Sequence, residues 1–185
     1  MKQSAKSLLA DLPNRLIKRN HDLERIVRLD MCNSLAHELG HYLVAKHFGL
    51  EPILRAWHTF EAARGDNKTI AGNCAFNRTT AFRKCCIGWS GELGNSIYYG
   101  ETDAEDLVWR NFDLWECDRE SYSTTDQEAI AGHPQVRRAL KIAVGILVDR
   151  ADEIRITVDD LVRRWAASEA EALEYSELGS TLGEQ

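Results

Sequence analysis

Long apolar runs are missing. The longest, at residues 142–148, carries a glycine inside it and falls far short of the roughly 18 to 20 residues that cross a bilayer, so no membrane partner is expected. The first 25 residues hold lysines but no central apolar block and no small-residue cleavage site. They read as mature chain rather than a secretory signal, which implies a cytoplasmic location. Proline is scarce, at 3 residues, and the 12 glycines are scattered, which excludes collagen-like and low-complexity classes. No C-x-x-C pair occurs among Cys32, Cys74, Cys85, Cys86 and Cys117. An odd count with two adjacent members suits neither a disulfide framework nor a thiolate zinc cage, and buried reduced thiols are expected. A positive surplus is missing too: 29 acidic against 23 basic residues give a net charge of -6, the wrong sign for holding a phosphate backbone. Nucleic acid is excluded as a partner.

What is present is ordinary globular composition over 185 residues, enough for one packed unit. Leu8, Leu9, Leu12, Leu16, Ile17, Leu23, Ile26 and Val27 have helical spacing broken at Pro13, so the first thirty residues form a separate helical segment. Met31, Leu35, Leu39, Leu43 and Val44 continue the spacing up to Gly49, and predict the most strongly marked helix. Residues 51–62 and 68–77 alternate around the turn-forming 64–67 and predict a β-hairpin. Thr79 or Thr80 caps a helix to about Tyr99 that is rich in small residues (Gly88, Ser90, Gly91, Gly94), and Gly100 ends it. Residues 101–118 predict an acidic amphipathic helix. Residues 101–128 hold ten acids against Arg110 and Arg119, a solvated face or a partner surface. Helices are predicted at 123–131, at 135–151 behind Pro134, and from about Thr157; the tail from 174 to 185 is expected to be flexible. The five tryptophans read as core or interface anchors.

The chemistry is carried by His37-Glu38-Leu39-Gly40-His41. In a helix, a spacing of four stacks both imidazoles on one face and presets two nitrogens of a tetrahedral zinc site. Glu38, on the adjoining part of that face, is placed to activate water as a general base. Gly40 costs about 1 kcal/mol in a helix interior and needs a reason such as close approach of another segment. A third ligand must come from elsewhere, and spacing leaves Asp126, Glu92, Asp118, Glu120, His58 and His133 open. Cys85 and Cys86 read as small core residues. Tyr98, Tyr99, Tyr122 or His58 could serve a tetrahedral oxyanion, a role left unassigned.

The order of these parts resembles the peptidase domain of FtsH-type ATP-dependent zinc metalloproteases. AHELGH is followed by Phe48-Gly49-Leu50, a hairpin, a small-residue helix with Gly91-Glu92-Leu93, and Ser123-Thr124-Thr125-Asp126. The resemblance covers about residues 31–150 and implies that Asp126 is the third zinc ligand. The family's ATPase module and membrane anchor have no counterpart in these residues, and about twenty residues (101–122) are inserted, so ATP-driven unfolding is not carried over. AHELGH also resembles the ImmA/IrrE-like metallopeptidases, which would make Glu92 the third ligand; the hairpin and the Asp126 segment favour the FtsH-like order.

The expectation is thus an α+β, mostly helical, zincin-like metallopeptidase domain over residues 31–173. It would hold Zn2+ through His37, His41 and Asp126, with Glu38 as catalytic base. Its substrates would be peptides or unfolded protein segments bound extended, delivered by an unfoldase or adaptor where one exists. The alternative is a catalytically inactive zinc-binding interaction module.

Overall fold

Leu35, Leu39, Leu43 and Val44, all essentially inaccessible, draw one stripe of helix α1 (Ile17–His47) into the core. The computed structural model describes residues 17–59, 70–168, 170–176 and 179–183. The chain is α+β and mostly helical. The expected boundary at residue 30 falls inside α1, which runs through Asp30 without a break, the helical spacing on its two sides being in phase. The expected interruption at Pro13 and the 64–67 turn lie outside the described residues.

The hairpin is present as β1 (Ile53–His58) and β2 (Ile70–Ala75), antiparallel with Leu54 opposite Cys74 and Trp57 opposite Ala71. Helix α2 (Ala81–Tyr98) is capped by the Thr80 hydroxyl, which accepts the Arg83 amide at 3.3 Å. Gly100, with φ +103°, turns the chain away after it, a backbone region that favours glycine. Helix α3 (Ala104–Cys117) is capped by Asp103, and α4 (Thr124–Ile130) by Ser123. A 3-10 turn at Arg119–Ser121 joins them.

Three boundaries move. The helices predicted at 135–151 and from Thr157 are α5 (Val136–Val148) and α6 (Ala151–Ala166). Thr157 lies inside α6, where the buried stripe Ile154, Val158, Leu161, Val162 and Trp165 outweighs its weak helix propensity. Asp152 and Glu153 in the first turn and Arg163 and Arg164 in the last match the helix dipole. In the 174–185 tail, expected to be flexible, residues 174–176 belong to β3 (Ala172–Ser176) and residues 179–183 form β4 (Gly179–Gly183). They complete an antiparallel sheet in the order β2-β1-β3-β4. Leu173 is buried there, and Arg55 Nε lies 2.7 Å from Glu174 Oε2 across the strands.

Helix α2 is the centre of the packing. Cys85 and Cys86 are fully buried core residues, and burial pushes their thiols up to about 11 and about 12, as inert structural cysteines require. All five cysteines are free thiols. Trp89, Trp115 and Tyr122 pack edge to face with centroids 5.4–5.6 Å apart. Trp109, by contrast, is 64% exposed and anchors nothing in the core. No described helix is long and apolar enough to cross a membrane.

Helices α1 and α2 cross backbone to backbone. A Cβ on Gly40 would fall on the Ser90 carbonyl oxygen, and one on Gly94 on that of Ala36. Gly40→Ala therefore destabilises the protein by about 2–4 kcal/mol in urea unfolding, in spite of alanine's helix propensity. Gly145→Ala, on an open face of α5 with nothing within 4 Å, gains up to about 1 kcal/mol.

Candidate metal centre

The α1–α2 crossing places His37 and His41 beneath α2, and the capped first turn of α4 brings Asp126 against them. Ser123 fixes that carboxylate twice. Its hydroxyl accepts the Asp126 amide at 3.2 Å and donates to Oδ2 at 2.8 Å. Asp126 Oδ2 lies 3.2 Å from His37 Nε2 and Oδ1 lies 3.4 Å from His41 Nε2, while the two Nε2 atoms are 3.1 Å apart. One donor atom from each residue lies within 4.8 Å of the others, so His37, His41 and Asp126 form a group that can hold a metal ion.

The hydrogen bonds behind the rings settle what faces inward. His41 Nδ1 donates to the Ile87 carbonyl at 2.7 Å, and His37 Nδ1 is 3.3 Å from Glu92 Oε1. With both Nδ1 protons so used, both Nε2 lone pairs point at each other and at a carboxylate. Three acceptors in van der Waals contact need a cation among them. Tetrahedral bonds of about 2.0–2.1 Å give ligand–ligand edges of about 3.3–3.4 Å, close to the three separations seen. The donor set fits a divalent metal.

Without metal, a proton takes that place. Burial pulls the His37 pKa down, but hydrogen bonds to Asp126 and Glu92 and the charges of Glu38 and Asp126 outweigh it and hold it at about 10. Burial pushes Asp126 up, yet its hydrogen bonds to His37 and His41 hold it well below the carboxylate range.

Glu92 therefore reaches the centre only through His37, which it orients. Glu38, 8% exposed, stands beside the three donors rather than among them. Burial raises its pKa above the ordinary value, against the charges of His41 and His37 and the Cys74 backbone N–H that lower it. Two glycines make room. A Cβ on Gly91 would enter the His37 ring, and one on Gly72 of β2 would come within 2.6 Å of Glu38 Cγ.

A cleft of about 350 Å³ opens beside these groups. Trp57, Gly72, Asn73 and Phe76 line it from the sheet side, and Lys84, Ile87, Thr125 and Ala129 from the helices. The other candidates lie elsewhere. Asp118 and Glu120 are exposed; His58 packs on Trp165 and His133 on Phe82. The Tyr98 hydroxyl bonds Cys32 and Asp159, that of Tyr99 bonds Asn33, and that of Tyr122 bonds Asn111. None of these lines the cleft among the described residues. Gly72 and Lys84 carried no local signal in the sequence that set them apart. No protein-family model matches the chain, and no curated protein matches it.

The protonated His37 sets the pH dependence. A metal must displace the proton from Nε2, so binding at pH 7 releases about one proton per ion, and affinity rises up to about tenfold per pH unit until His37 loses its proton near pH 10. Calorimetric titration of the metal-free protein in buffers of different ionisation enthalpy measures that proton.

Proposed function

We propose that this chain is a zincin-like, zinc-dependent metallopeptidase whose site follows the FtsH-type order, with His37, His41 and Asp126 as ligands and Glu38 as the catalytic base. The observation that carries the reading is the Asp126 carboxylate at 3.2 and 3.4 Å from the two HExxH imidazoles. The position of Glu92 behind His37 Nδ1 favours this order over the ImmA/IrrE-like one.

Zinc held by these residues would supply Lewis acidity, lowering the pKa of water and polarising a peptide carbonyl. Glu38 takes a proton from the attacking water and delivers it to the departing amine nitrogen. Its raised pKa suits the first task, and its protonated form is the acid for the second. The Gly72 gap allows the carboxylate to lie against β2 while it does so. Glu92 and Ser123 hold the His37 ring and the Asp126 carboxylate, and the cleft wall excludes part of the water.

β2 is an edge strand, and its Gly72–Cys74 stretch borders the cleft. An extended peptide laid there meets backbone groups as well as the base. Folded domains cannot present such a strand, so peptides and unfolded segments are the substrates, and an unfoldase or adaptor raises the rate on folded proteins. The exposed acidic surface of α3 is its docking face in this reading.

Glu38→Gln keeps stoichiometric zinc and abolishes cleavage of an unstructured substrate such as casein, because a base is lost and no ligand. Asp126→Ala lowers zinc affinity by more than about 100-fold, whereas Glu92→Gln lowers it by about 10–100-fold. Elemental analysis and chelator-competition titration of the three variants, with a casein assay, check the set; a Glu38→Gln protein that cuts as fast as the parent excludes Glu38 as base.

Gly72→Ala forces a methyl group against Glu38, whose side-chain atoms are the three nearest to it. Zinc content is retained and kcat falls by about tenfold or more with a smaller change in KM, measured by steady-state kinetics beside metal analysis.

A further inference from the structure

The histidines apart, one cationic side chain lines the cleft among its described walls: Lys84. Its neighbours are committed to packing. Arg83 stacks 5.4 Å from the Phe48 ring and Arg138 5.6 Å from that of Phe82. Lys84 is exposed, and no described carboxylate pairs with it.

Its place on α2 fixes its distance from the chemistry. Ile87 and Gly88 lie three and four residues after Lys84, and Gly91 lies four and three residues after them, along one helix face. Ile87 accepts the proton of His41, and Gly91 underlies His37. At 1.5 Å per residue, Lys84 stands about 6 Å along the axis from Gly88 and about 10 Å from Gly91. An extended peptide covers that distance in two or three residues. Phe76, Ile87 and Ala129 line the same cleft with apolar groups. A ligand group that satisfies both features has a short aliphatic body and an anionic end.

We infer that Lys84 makes this cleft select peptides bearing a carboxylate, an acidic side chain or the chain's own C-terminus, two or three residues from the bond nearest Glu38. The inference rests on the reading of the cleft as a peptide-binding site and adds the class of peptide. It also runs against the overall charge of -6, which by itself would disfavour acidic ligands.

The test uses zinc-loaded Glu38→Gln protein and octapeptides of fixed sequence, with Glu or Gln at one position at a time, each made with a free and an amidated C-terminus. Binding is read by calorimetry and by the emission of Trp57, which lines the same cleft. One position, or the free terminus, is expected to favour the carboxylate by about fivefold. The ratio falls to about one in a Lys84→Met background and reverses, in favour of the Gln or amidated twin, in Lys84→Glu. A preference that follows the terminal acid identifies a chain end, and one that follows Glu identifies a side chain. Equal binding of every Glu and Gln twin and of every acid and amide, no binding of any peptide, or a preference that survives Lys84→Glu overturns the inference. Cleavage by the parent is scored separately: a Lys84-dependent preference without cleavage refutes the hydrolase and leaves the selectivity standing.

Discussion

Everything at the candidate metal centre depends on how closely two helices cross. With hydrogen at Cα of Gly40 and Gly94, α1 and α2 meet through their backbones, the Ser90 carbonyl over one and the Ala36 carbonyl over the other. Ordinary helix pairs stand 8–10 Å apart, separated by side chains. Here the approach sets the Ile87 carbonyl against His41 and leaves Gly91 room for the His37 ring. The same contact therefore serves packing and chemistry, and the helix-propensity cost of glycine at position 40 has its explanation in α2.

The second layer is electrostatic. A carboxylate and two imidazole lone pairs, buried together, repel unless a cation joins them. The fold tolerates that arrangement because each ligand is anchored from behind: Asp126 by Ser123, His41 by Ile87 and Ser90, His37 by Glu92. Anchoring of this kind fixes ring tautomers before a ligand arrives, and so lowers the reorganisation that binding needs. Gly72 and the Cys74 backbone N–H lie against Glu38, which stands beside the three donors rather than among them.

His37, Glu38 and His41 were legible because their geometry is local: a four-residue step on a helix whose apolar stripe could be counted. The cap at Thr80, the turn at Gly100 and the Ser123 start of α4 were legible for the same reason. Asp126 could be singled out only through a resemblance, since nothing near it in sequence records that α4 folds against α1. Strand β3 was missed because its partner β1 lies more than a hundred residues earlier and the charged and small residues around Leu173 hide the alternation, and β4 was missed with it because it pairs with β3. Gly72 and Lys84 acquire meaning only when the sheet and α2 face each other across the cleft, a relation no window of sequence contains.

Strand β1 holds Cys74 on one side at Leu54 and receives Tyr175 on the other at the same residue. That second pairing closes a loop of about 120 residues, the kind of contact that forms late because its entropy must be met before it stabilises anything. The ligand trio comes from α1 and α4 and does not wait for it. Chain order alone would let α1 and α4 meet while the sheet beside the cleft is still a two-stranded hairpin, marginal by itself. On the proposed reading, a place for a cation would then precede the finished strand edge along which a peptide would lie.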